Sequence, residues 1–150
     1  CCSGGFDTAR SFILMGRPIR LLEGENSGQN VLWFGNGLGH LSQAEFVRHY
    51  TTCHGPLVAG HAEVIGLRSY LQVPAQQSEL CDSLRELGLG QSKPPAVFAQ
   101  LIVGAPPLSL SMFRLRRTAN REIKADEQRH IDFASSMLLL SSKADLNVTK

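Results

Sequence analysis

The stretch LSQAEFVRHYTTCHGPLVAGHAEVIG, Leu41 to Gly66, combines a helix start, an apolar face and reactive side chains on that face. Ser42 and Glu45 form a capping box. The Ser42 hydroxyl accepts from the N–H of Glu45, and the Glu45 carboxylate reaches back to the N–H of Ser42, so two orphan donors are satisfied. At about 100° per residue, Val47, Tyr50, Leu57 and Val58 fall within about 60° of His54, with Arg48 and His49 roughly opposite. His54 is therefore expected to face inward and His49 to face water. Pro56 has no N–H to offer Thr52 and its ring crowds that carbonyl, so the helix is expected to kink there. The result is a bent helix with His54 at the bend.

The chain has 150 residues, the size of one domain. Its net charge of +2 comes from mixed signs, which implies neither a nucleic-acid partner nor an anionic membrane surface. No run approaches the ~18 apolar residues of a membrane span. The four cysteines include an adjacent pair, Cys1 and Cys2, and two isolated ones, Cys53 and Cys81. Neither a paired zinc spacing nor a dense disulfide frame results, and a reducing, cytoplasmic setting fits best. A chain starting at Cys1 reads as trimmed or processed, a lipid-modified terminal cysteine being the lesser reading. Asn147-Val148-Thr149 is an acceptor triplet for glycosylation that matters only in a secreted protein.

Residues 1–29 form an amino-terminal extension with two apolar runs, Phe12 to Met15 and Ile19 to Leu22, split by Gly16-Arg17-Pro18. They read as a small hairpin or docked arm. The domain proper is 30–150. Val31-Leu32-Trp33-Phe34 is its first strand. The glycines that follow do not make a nucleotide loop, because His40 stands where the third glycine of G-x-G-x-x-G belongs and no P-loop lysine is present. After the central helix, Leu67 to Val73 alternates as a strand ended by Pro74. Ser78 to Gly88 reads as a short capped helix with Leu80, Leu84 and Leu87 on one face. Ala96 to Val103 is a third strand. A longer helix begins at Ser109 or Ser111, with Met112, Leu115, Ala119 and Ile123 at helical spacing and a solvated face of arginines. Met137 to Leu140 is the last strand.

This alternation of strands and helices is the order of an α+β, ferredoxin-like split βαβ sandwich with an antiparallel sheet. One sheet face would be left bare in a single copy, so a homodimer is expected on physical grounds.

Ser42, Glu45-Phe46, His49-Tyr50, His54-Gly55-Pro56-Leu57-Val58, Gly66-Leu67 and Tyr70 resemble the opening of EthD family proteins, where an H-x-P-L helix precedes a G-L-x-x-Y strand. Ala125-Asp126-Glu127 with Ile131-Asp132 resembles that family's closing D-E-x-x-F-I-D segment. The departures are Gln100 for the usual acid of the third strand, Pro95-Ala96 for D-G, and His130 for an aromatic residue. The resemblance implies a dimeric α+β barrel, no cofactor, and a cavity between sheet and helices for a small hydrophobic or aromatic molecule.

In such a cavity His54 and Tyr50 are the candidate catalytic residues, with Trp33, Tyr70, Phe98 and Leu57 as substrate contacts. A neutral imidazole is suited to take a proton from an acidic carbon or a phenol. Asp126, Glu127 and Asp132 read as structural carboxylates satisfying backbone donors or pairing with Arg121 and Arg129. Cys53 lies about 100° from His54 round the helix, too far for a nucleophile pair. His40, His49, His54 and His61 never recur at one-turn spacing, so no metal is expected. The preferred function is a cofactor-free enzyme acting on an aromatic or polyketide-like compound by proton abstraction that leads to cyclisation, dehydration, decarboxylation or oxygenation. The second is a non-catalytic accessory or binding protein serving a separate oxidation system, as the family's name implies.

Overall fold

A computed structural model describes Asp7, residues 10–25 and residues 27–141. Cys1, Cys2 and the Asn147 triplet lie outside these residues. In chain order the elements are β1 (Ile19–Leu22), β2 (Gln29–Gly35), α1 (Gln43–His49), a π-helical stretch (Tyr50–His54), α2 (Gly55–Gly60), α3 (Ala62–Ile65), β3 (Leu67–Pro74), α4 (Glu79–Glu86), β4 (Val97–Val103), α5 (Leu110–His130) and β5 (Met137–Ser141). The strands form one five-stranded sheet in the order β1-β3-β4-β2-β5, with every neighbouring pair antiparallel. The architecture is mixed α+β. No helix among the described residues is long and apolar enough to cross a membrane.

Register decides which side chains meet the helices. Trp33 sits opposite Ala99, which sits opposite Gln72; Val31 sits opposite Leu101, which sits opposite Tyr70. Because side chains alternate along a strand, these positions share one face. Trp33, Tyr70, Gln72 and Ala99 on that face are all buried, and with Phe46, Tyr50, Val58 and Ile131 from the helical layer the apolar ones make the core. Burying each large apolar side chain contributes about 1.5–3 kcal/mol. The opposite face carries Leu32, Phe34, Leu71, Val73 and Phe98, all only partly covered.

The expected strands and helices of the domain all occur, with four corrections. Ile19–Leu22 is neither a hairpin nor a loose arm: it adds to the free edge of β3, so residues before 30 extend the same sheet. Phe12 to Met15 is not a strand; Phe12 packs edge-on against Phe34, and the Met15 carbonyl accepts from Gln76. In α4 the capping Ser78 is as expected, but Cys81 is the buried residue while Leu80 and Leu87 face solvent, because the helix touches the domain with a narrower flank than its leucines define. Ser109, not Ser111, caps α5, and its first turns stand free, leaving Leu115 exposed; Ala119 is the first fully buried position.

Gly66 ends the helical layer in the left-handed conformation, φ 75°, and passes the chain into β3. A Cβ there would lie 2.6 Å from the Gly104 carbonyl oxygen, on the backbone of the adjoining strand end. Gly66→Ala is expected to lower unfolding free energy by at least about 1 kcal/mol in urea titration, from backbone strain alone; an unchanged midpoint would refute this account.

Candidate active site

Pro56 does not break the helix. Instead the backbone widens: the Gly55 N–H bonds the Tyr50 carbonyl five residues back, and Tyr50–His54 forms a π-helical turn. The wider register places Pro56 in the first turn of α2, where an N–H is not needed. The hydroxyls of Thr51 and Thr52 bond the carbonyls of Val47 and Arg48 at 2.8 and 2.7 Å, satisfying acceptors at the loosened turn. Gly55 lets this turn press onto the sheet, since a Cβ there would lie 2.6 Å from Leu21 Cδ1 and 2.7 Å from Gln72 Nε2.

The π register also overturns the expectation for His49. In a helix bonded five residues apart, residues i and i+5 come to the same side. His49 and His54 therefore converge on Asp126 of α5, with His49 Nε2 at 2.8 Å from Oδ1 and His54 Nδ1 at 2.9 Å from Oδ2. His130, one turn beyond Asp126, stacks on His49 with ring centres 3.4 Å apart, and its Nδ1 bonds the Asp126 carbonyl at 3.0 Å. Asp126 thus pairs with neither Arg121 nor Arg129, because its side chain turns inward beneath the helix layer. Asp132 does serve backbone donors, accepting from Ala134 and Ser135.

A carboxylate only accepts, so Nδ1 of His54 carries the proton and the neutral ring presents a lone pair at Nε2. Nε2 has no protein partner among the described residues. Burial pushes the His54 imidazole below its ordinary range, outweighing the pull of Asp126 toward protonation. Burial acts to raise Asp126, but the hydrogen bonds from His54 and His49 prevail and hold it below the usual carboxylate range.

His54 forms part of the wall of a cavity of about 410 Å³ between the sheet and the helices. Val31, Trp33, Tyr70 and Leu101 form its floor, Tyr50, His54 and Val58 one side, and Asn120, Ile123, Glu127 and Ile131 of α5 the other. Trp33, Tyr50 and His54 stack in succession, with ring centres 5.0 and 4.8 Å apart. Gln72 Nε2 donates to Tyr70 Oη at 2.7 Å, and the Tyr70 hydroxyl donates to Tyr50 Oη at 3.2 Å. The Tyr50 proton is thereby left for the cavity. Burial raises both phenols, Tyr50 well above its ordinary value, so they remain protonated donors.

Of the residues expected here, His54, Tyr50, Trp33 and Tyr70 meet in the cavity and two do not. Phe98 points to the opposite face, where it packs on Phe34 with centroids 5.0 Å apart, because alternation gives the cavity side to its neighbour Ala99. Leu57 is displaced by Val58, since the extra residue of the π turn shifts the following face by about one position. Sequence reasoning missed the convergence of His49, Asp126 and His130. The paired acids of the closing segment were the available signal; their partners were hidden by assuming an α-helical pitch.

Donor atoms of His49, Asp126 and His130 lie within 4.8 Å of one another. The two imidazoles are nearly parallel, 12° apart, so their in-plane lone pairs run side by side and do not converge on an ion. The donor set fits a hydrogen-bonded hub better than a metal centre.

A family model described as the EthD domain matches residues 39–134, well over half of the chain and every helical residue named above. No curated protein and no solved structure matches the chain.

His54 and Asp126 are both depressed in the folded state, so between their unfolded and folded pKa values the unfolded chain binds the extra protons. Their contribution is present above the unfolded values and lost as pH falls through the folded ones. For His54 this loss begins near its ordinary 6.5. Urea denaturation across that region is expected to give a steep fall in stability toward acid, shallower in His54→Gln; an identical slope in the variant would contradict the assignment.

Proposed function

The chain belongs to the EthD family, and we propose that it is a cofactor-free enzyme that abstracts a proton from a small aromatic or polyketide-like substrate with His54 as general base. The observation that carries this reading is the His54–Asp126 contact of 2.9 Å beside a half-open, mostly apolar cavity. Asp126 fixes the tautomer and stabilises the imidazolium once it forms, while Tyr50 donates to the developing oxyanion. The Trp33–Tyr50–His54 stack suits a flat substrate lying against it. Trp33 and Tyr70 serve as contacts, and general base catalysis of this kind contributes ~100 to 10,000-fold.

In the same reading the sheet is ferredoxin-like, with β1 as an added edge strand, and two copies close a dimeric α+β barrel. The strand order and the partly covered face of Leu32, Phe34, Leu71, Val73 and Phe98 support it. Leu139 is opposite Leu32 on that face and is 45% exposed. Leu139→Lys is expected to convert a dimer to a monomer in sedimentation velocity without altering far-UV circular dichroism. A wild-type protein that sediments as a monomer would sink the barrel.

Catalysis is tested by NMR titration of His54 with a panel of phenolic and polyketide-like ligands, using His54→Ala to assign the resonance. A His54 that titrates below its ordinary 6.5 and shifts when ligand is added supports the base. A ring that neither titrates nor responds would favour the accessory, non-catalytic role.

A further inference from the structure

Glu127 lines the same cavity as His54, in the stripe of α5 and its C-cap that also presents Asn120, Ile123 and Ile131 to it. Unlike that of Asp126, its neighbour, its carboxylate makes no hydrogen bond or ion pair among the described residues. Among the described residues no lysine or arginine lines the cavity. A carboxylate-bearing substrate would therefore meet the Asp126 charge behind His54 with no compensating cation, which disfavours decarboxylation and points to a neutral substrate.

Resting on the reading above, we propose that the cavity removes water from a neutral aryl β-hydroxy ketone, with Glu127 as the acid that protonates the departing hydroxyl. Three polar groups of the wall divide the work. His54 Nε2 takes the hydrogen on the carbon between carbonyl and alcohol. The electron pair of that C–H bond passes into an enolate, whose oxygen accepts from Tyr50; the phenol is too weak an acid to give its proton away. The enolate then collapses, the carbon–carbon double bond forms, the carbon–oxygen bond breaks, and the hydroxide leaves as water with the Glu127 proton. An enone, a His54 imidazolium and a Glu127 carboxylate remain, and proton transfer from the imidazolium to the carboxylate through solvent restores the start.

The surroundings of Glu127 favour its protonated form. Burial and the charge of Asp126 raise its carboxyl above the ordinary range, against a smaller opposing effect of Lys124 on the same helix. Among the described residues, the titratable groups that share the cavity wall with it from the facing elements are uncharged: the phenols of Tyr50 and Tyr70 and neutral His54.

The probe is 4-hydroxy-4-phenylbutan-2-one, with enone formation followed by ultraviolet absorbance and exchange of its α-hydrogens in D2O followed by NMR. Wild type is expected to catalyse both, with a bell-shaped elimination profile whose acid limb belongs to His54 and alkaline limb to Glu127. Glu127→Gln is expected to lower elimination ~100-fold more than exchange and to abolish the alkaline limb, and Glu127→Asp to recover part of the loss. His54→Ala is expected to lower both reactions. Elimination undiminished in Glu127→Gln, or elimination and exchange lost equally, would overturn the role of Glu127 while leaving the base in place. Exchange undiminished in His54→Ala would instead remove the base itself. A wild-type protein that leaves the probe unchanged would overturn the substrate class.

Discussion

One carboxylate, Asp126, ties the two helical segments that enclose the cavity. Its two oxygens hold His49 and His54 from the π turn, and its own helix brings His130 onto His49. A half-buried charge of this kind is costly unless its acceptors are used, and here both oxygens are. The same bonds that stabilise it orient His54, so removing Asp126 would leave unpaired donors in the layer between helices and also release the tautomer. Stability and candidate chemistry therefore rest on a single group, and the polar hub behind the cavity is as much a packing device as a functional one.

The hub exists because the helix is not regular. An α-helical pitch would separate His49 and His54 by about 140°, beyond the reach of one side chain on a neighbouring helix. Pro56 removes the donor that would have closed that pitch, Gly55 permits close approach to Gln72 and Leu21, and the two threonine hydroxyls take up backbone acceptors. A sequence that looks like a helix breaker is thus resolved locally by widening one turn. The displaced geometry puts Tyr50, His49 and His54 where they are, consistent with π turns occurring at functional sites.

This explains which parts were legible before the structure. Capping by Ser42 and Ser78, the strand runs and the inward position of His54 follow from local chemistry, and all of these occur. The family resemblance rested on residues at both ends of the matched segment, Ser42 to Tyr70 and Ala125 to Asp132, and lies within or overlaps residues 39–134. What could not be read depended on pairing between distant elements. Asp126 is about 70 residues from its histidines, and no spacing rule reaches so far. Phe98 failed for a different reason: a nearly continuous apolar run such as Ala96 to Val103 carries no alternation to say which side faces the helices. Only the pairing of Ala99 with Trp33 and Gln72 decides it.

The two faces of the sheet divide the demands on the chain. The helix side holds Trp33, Tyr70 and Gln72, aromatic and polar groups whose hydrogen bonds run in sequence toward the Tyr50 hydroxyl. The other side holds mainly aliphatic and phenyl groups around one polar pair, Gln100 Nε2 donating to Asn30 Oδ1 at 3.2 Å, and Phe12 from the amino-terminal segment packs at the Phe34 end of it. Association across that second face would hide apolar area on the side of the sheet away from the cavity. Pairing would then act on the chemistry only through rigidity of β2 and β4, the strands that carry Trp33 and Leu101 to the cavity floor. A surface substitution that separates two copies should accordingly leave the His54–Asp126 contact intact, whereas a change at Gly55 reaches the contact through the backbone of the π turn itself.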